Sequence, residues 1–121
     1  MIKATLKIKG ENIQEKVINA VADFQNDEYV VQYQFDSGCV FMFEQYKKSL
    51  SNFVLNVILD FSMNIKNDEI IIQCFAMGEK NRAELNLINY EKSTIEDLRY
   101  HMFGYSKRNN QNWEIEELKY V

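Results

Sequence analysis

The stretch Asn52–Asn64, NFVLNVILDFSMN, divides into two interleaved sets. Phe53, Leu55, Val57, Leu59, Phe61 and Met63 form one; Asn52, Val54, Asn56, Ile58, Asp60 and Ser62 form the other. On a helix, Asn52, Asn56 and Asp60 would share a face and the remainder could be buried, so a helical reading has to be answered. Strict alternation sustained along the whole stretch, with many β-branched and aromatic residues, decides for a strand. The next segment, DEIIIQCFAMG, is equally β-rich, and NIKND between the two is expected to be a hairpin loop.

The flanking segments complete a sheet and add helices. IKATLKIKG places Ile2, Ala4, Leu6 and Ile8 on one side and Lys3, Thr5, Lys7 and Lys9 on the other, a half-buried strand ended by Gly10. In NIQEKVINAVADF the residues Ile13, Val17, Ala20, Val21 and Phe24 keep helical spacing. Asn12 with Glu15 three residues later has the spacing of a capping box. After QND, EYVVQYQF alternates Tyr29, Val31, Tyr33 and Phe35 against Val30, Gln32 and Gln34. DSG is a turn signal in which Gly38 can take a positive φ, and CVFMFEQY returns, so Tyr29 to Tyr46 is expected to be a hairpin, with KKSLSN as the next connection.

Beyond the GEKN turn, RAELNLIN alternates Ala83, Leu85 and Leu87 against Glu84, Asn86 and Ile88, and is expected to be a further strand. Ser93 and Glu96 have capping-box spacing for a second helix, STIEDLRYHMF, with Ile95, Leu98 and Met102 as its apolar stripe and Gly104 as its end. SKRNNQN is then a polar loop, and WEIEELKYV is compatible with either a strand or a short helix. The expected order is β-α-β-β-β-β-β-α with an open C-terminal element. This is a single α+β domain over residues 1–121: an antiparallel sheet of five to six strands with two helices on one face.

Length and composition agree with one folded domain. A chain of 121 residues holds one ordinary hydrophobic core, and 46% hydrophobic with 26% charged residues and no proline is a globular composition. A net charge of -4 argues against a phosphate-rich partner, because such binding relies on Lys and Arg. MIKATLKIKG lacks the apolar run of a secretory signal, and Asn56, Asp60 and Gln73 interrupt the apolar segments that would otherwise suggest a membrane span. With two cysteines, the expected compartment is the cytoplasm, with both thiols free.

The element order resembles the TBP-like group of α+β folds, in which a strand, a helix, a run of antiparallel strands and a final helix build a helix-backed curved sheet. FEQYKKSLSNFVLNVILDF, DEIIIQCFAMG and LNLINYEKSTIEDL together are similar to a small bacterial family known only as a domain of unknown function. That resemblance covers most of the chain and implies no catalytic residues, cofactor or activity.

Residues capable of chemistry are few. His101 is the one histidine, and a surface position near a helix C-terminus explains it. Cys39 and Cys74 lack a CxxC context, and strands two apart are separated by about 9–10 Å, beyond disulfide reach; they are expected to be core residues. Asp68-Glu69 falls in a turn, Glu96-Asp97 in a first helical turn, and Glu116-Glu117 in a charged tail. No GxGxxG, Walker-type, GxSxG or HExxH motif occurs. No enzyme, metal or cofactor is therefore expected. The strand aromatics Tyr29, Tyr33, Phe41, Phe43, Phe53, Phe61 and Phe75 could stack on bases, yet Lys47, Lys48 and Lys107-Arg108 are the only basic clusters and fall in expected loops. Core packing accounts for most of these rings.

The remaining feature is the sheet face turned away from the helices. Val54, Ile58, Ile71, Phe75 and Met77 would leave it apolar, the mark of an interaction surface. Three occupants are open: a second copy about a two-fold axis, a small apolar ligand in a pocket between sheet and helices, or the C-terminal NWEIEELKYV folded across the face. The expectation is a non-enzymatic, self-associating domain, a homodimer.

Overall fold

The computed structural model describes residues 1–24, 30–47, 50–62, 66–78 and 84–121. Its elements are β1 (Ile2–Lys9), α1 (Ile13–Ala22), β2 (Val30–Phe35), β3 (Gly38–Lys47), β4 (Leu50–Asp60), β5 (Glu69–Gly78), α2 (Glu84–Arg108), β6 (Glu114–Ile115) and β7 (Lys119–Tyr120). The fold is α+β, with one antiparallel sheet. Its order is β2-β3-β4-β5-β1-β6, with β7 also on β1. Chain connection and sheet order differ in one instructive way: β1 lies beside β5, not β2. α1 therefore carries the chain across one face from β1 to the far edge, and the meander β2–β5 returns it.

Periodicity determines what each element buries. Ala4, Leu6 and Ile8 of β1 align with Cys74, Ile72 and Ile70 of β5, and all are buried. Leu55, Val57 and Leu59 of β4 and Phe41 and Cys39 of β3 continue the same face. Ile13, Val17, Ala20 and Val21 of α1 and Ile95, Leu98 and Met102 of α2 close over it as one continuous core. The long alternating stretch is thus a strand as far as Asp60. Tyr29, the QND connection, Met63, and residues 79–83 of the GEKN turn and the segment after it lie outside the described residues.

Several expectations need correction. RAELNLIN is not a strand: from Glu84 onward it is the start of α2. Its alternation is short, and Glu and Leu are strong helix formers with Ile88 the only β-branched residue among Glu84–Ile88, so helical propensity prevails. Ser93 is consequently inside the helix, not at its cap, and Glu96-Asp97 is mid-helix. Gly104 does not stop it either. Asn110 supplies the left-handed residue (φ 55°), and Gln111 N–H donates to Ser106 C=O (2.8 Å) while Asn110 N–H donates to Lys107 C=O (3.3 Å). This is the paired hydrogen-bond pattern that satisfies terminal carbonyls. Lys107 and Arg108 are therefore in the last helical turn and not in a loop.

At the start of α1, Asn12 occupies the cap position with φ 49° and makes no side-chain cap bond, so there is no capping box. A distant residue does the work. Asn67, itself left-handed at φ 56°, accepts Ile13 N–H at its carbonyl (3.0 Å) and Gln14 N–H at Oδ1 (2.8 Å). KKSLSN is likewise shorter as a connection than expected, since β3 runs to Lys47 and β4 begins at Leu50, with a register shift between Gln45 and Lys47. Asp36 and Ser37 form the two-residue link of the β2–β3 hairpin, but Gly38 does not use a positive φ. It is needed for space: a Cβ there would collide with the Leu59 carbonyl oxygen and press on the Phe35 ring at 3.2 Å.

The C-terminal segment is a broken edge strand. Ile115 pairs with Ile8 and Tyr120 with Ala4. Between Ile115 and Lys119 the tail has three residues (116–118), whereas between Thr5 and Ile8 β1 has two (6–7), which is a bulge.

Candidate functional site: the open face of the sheet

Register assigns the second face residue by residue. Val54 is opposite Met77, Asn56 opposite Phe75, Ile58 opposite Gln73, and Asp60 opposite Ile71. On the other side of β5, Phe75, Gln73 and Ile71 align with Lys3, Thr5 and Lys7 of β1. Directly opposed residues in an antiparallel pair point to the same side. Val54, Ile58, Ile71, Phe75 and Met77 therefore share one face on two neighbouring strands, opposite the helices, with Asn56 and Gln73 set among them. Met77 is 49% exposed; the other four are half-buried by their neighbours.

The face extends further than those residues. Phe35 pairs with Gly38, which puts Gln34 and Gln32 beside the buried Cys39 and Phe41 and leaves Tyr33 and Phe35 with Val40 and Met42 on the open side. Tyr33 is 68% and Phe35 40% exposed, their rings 6.2 Å apart. Parity across the two-residue turn was the available signal for these four residues. The tail does not cover the face, because it is bound along the β1 edge through Glu116 N–H to Lys7 C=O (3.0 Å) and Val121 N–H to Lys3 C=O (3.1 Å).

Charge is distributed unevenly over this surface. Lys3 and Lys7 stand on the β1 flank, with Lys3 Nζ 5.3 Å from the Phe75 ring centre and Lys7 Nζ 3.2 Å from Glu69. Glu44 stands on β3 and Asp60 on the central strand β4, while Glu69 lies on β5 beside the lysines. Asp60 receives hydrogen bonds from Ser62 Oγ (2.5 Å) and Ser62 N–H (2.9 Å), which hold its carboxyl below the usual range.

Of three clefts, the first is lined mainly by polar groups. It measures ≈ 490 Å³ and lies between α1 and β2, where Gln14, Asn19, Gln32, Gln34 and Asn67 supply carboxamides. Another of ≈ 490 Å³ is formed by the β1–α1 turn and the end of α2, lined by Lys16, Glu11, Asp68 and Trp113 among others. A smaller one of ≈ 180 Å³ sits on the open face between Thr5, Lys7, Ile71 and the tail.

His101 lines none of these three clefts. It is not on a plain helix surface, as its position in the sequence suggested, but 16% exposed at the seam of the two helices. Its Nε2–H donates to the Ala20 carbonyl at 2.8 Å, and its ring packs 5.3 Å from Phe24 and 6.3 Å from Tyr105. The seam is extended by Arg108, 3.6 Å from Asp23. Cys39 and Cys74 are both free, buried core residues on β3 and β5, with β4 between them. Burial raises both thiols, Cys74 to about 12. Phe41 and Phe43 belong to the core, while Tyr33, Phe35 and Phe75 do not.

Among the described residues no group of three or more His, Cys, Asp or Glu side chains is placed to hold a metal ion. No described helix is long and apolar enough to cross a membrane. No protein-family model and no curated protein matches the chain.

Proposed function

We propose that this chain is a cytoplasmic, non-enzymatic self-associating domain, and that its open sheet face packs on the same face of a second copy to form a homodimer. The observation that carries the proposal is the position of the tail. The one segment expected to cover the face is held along the β1 edge, leaving Tyr33, Phe35, Val54, Ile58, Ile71, Phe75 and Met77 on one side. Five strands about 4.8 Å apart and some seven residues of about 3.3 Å span on the order of 550 Å² in projection, before side-chain relief is added. Specific interfaces use about 600–1,000 Å² per partner, so the face is large enough for one.

The charge distribution favours a copy over an unrelated partner. A two-fold axis parallel to the strands sets the lysine flank of one chain over the aromatic β2 flank of the other, twice. Lys3 and Lys7 then face the aromatic flank and not each other. Asn56 and Gln73 in the middle of the face give such an interface hydrogen bonds that fix its register.

The test is native mass spectrometry with light-scattering chromatography on the wild type and Ile58→Lys. A subunit number that falls in Ile58→Lys, with an unchanged circular dichroism spectrum, supports the proposal. A wild type that stays monomeric up to high concentration refutes it, and a monomer carrying a non-covalent adduct redirects the face to a small apolar ligand.

A further inference from the structure

The two edges of the sheet are built differently. On the β1 side the edge is closed by the C-terminal strand, which is short, bulged, and charged through Glu114, Glu116, Glu117 and Lys119. Short length, bulges and charge are the devices that stop an edge from pairing with another chain. At the opposite end β2 has none of them. It stands last in the strand order among the described residues, pairs with β3 without a register shift, and reads VVQYQF. Six consecutive residues carry no charge, no proline and no glycine. Alternate backbone N–H and C=O groups of such a strand point away from its one neighbour, and uncharged β-prone hexapeptides at an edge are templates for strand addition.

We propose that β2 pairs with β2 of a second copy, antiparallel about a two-fold axis perpendicular to the sheet, so that one continuous sheet runs through both chains. Symmetry makes the strand its own complement. In any register about such an axis, odd-numbered residues oppose odd and even oppose even. Tyr33 and Phe35 stay together on the open face, where aromatic cross-strand pairs are favourable, and Gln32 and Gln34 meet as amides on the other. No like charges are brought together, and the absence of charge leaves nothing to select a partner of opposite sign. This contact is independent of face-to-face packing, whose axis lies parallel to the sheet. Either one alone gives a dimer, and the two together give a larger assembly.

The double variant Gln32→Lys/Gln34→Lys tests the edge without touching the open face. Amide exchange of Val30–Phe35 is measured across a dilution series of the wild type, together with the subunit number by native mass spectrometry. Exchange in β2 that slows with concentration, is restored to the dilute rate by the double variant, and is kept slow in Ile58→Lys supports the edge pairing. Subunit number is expected to fall in the double variant. Exchange in β2 that is independent of concentration in the wild type overturns the proposal, whether or not the variant folds. So does protection that Ile58→Lys abolishes and the double variant preserves, since it would belong to the open face.

Discussion

The cap of α1 offers a sharp test, because sequence and structure assign it to different asparagines. Asn12 precedes the helix but makes no side-chain cap bond, whereas Asn67, far along the chain, accepts Gln14 N–H at 2.8 Å. Both are left-handed, at φ 49° and 56°. Glycine adopts that conformation without strain, so Asn12→Gly and Asn67→Gly carry the same backbone change and the same added freedom in the unfolded chain. They differ in the lost side-chain bond. A hydrogen bond of this kind contributes about 1 kcal/mol net. With unfolding entropy near 2.1 cal/mol/K per residue, a chain of 121 residues has about 0.25 kcal/mol/K at its midpoint, and the bond corresponds to about 4 °C in Tm. Asn67→Gly is therefore expected to melt about 4 °C below Asn12→Gly, with equal m-values in urea. Equal midpoints for the two variants would refute the assignment of the cap to Asn67. A lower midpoint for Asn12→Gly would restore the local capping box.

Further outcomes follow from packing and burial. Gly38→Ala is expected to cost about 3 kcal/mol, at the upper end for overpacking, because its Cβ meets the backbone carbonyl of Leu59; Gly10→Ala should cost less, since its obstacle is the Trp113 side chain at 2.7 Å, and urea midpoints will rank them. His101→Leu keeps the ring's packing volume but strands the Ala20 carbonyl, and a loss of about 1–2 kcal/mol in urea titration is expected, with no change in any association constant. Cys74 has its pKa raised from near 9 to about 12, so the fold favours the protonated thiol. Its contribution is intact below about pH 9 and is lost as pH rises towards 12, by about 4 kcal/mol in all. Stability measured across that range should fall less steeply in Cys74→Ala, and native Cys74 should resist thiol reagents that label it in urea.

Period two and period 3.6 were sufficient to find the buried faces. Ala4, Leu6 and Ile8, the stripe Ile13-Val17-Ala20-Val21, and Ile95, Leu98 and Met102 are all where their spacing put them. The same periodicity separated Val54 and Ile58 from Leu55, Val57 and Leu59, and so marked the second face of the sheet before its neighbours were known. It failed at Glu84–Ile88, where a short alternation is also a segment of helix-forming residues, and at Gly104, where a glycine capable of ending a helix lies within one.

What alternation could not supply is adjacency. That β1 lies beside β5, that Asn67 reaches the start of α1, that His101 reaches Ala20, and that the tail binds the β1 edge are contacts between residues far apart in the chain. Local spacing fixes which side of a strand or helix is apolar, because that depends on backbone geometry alone. Which elements become neighbours depends on how all the apolar faces are buried at once, and only the assembled chain decides it. The same division applies to the candidate surface: its residue types are written in the sequence, while its continuity across β2 to β5 and its freedom from the tail come from the tertiary structure.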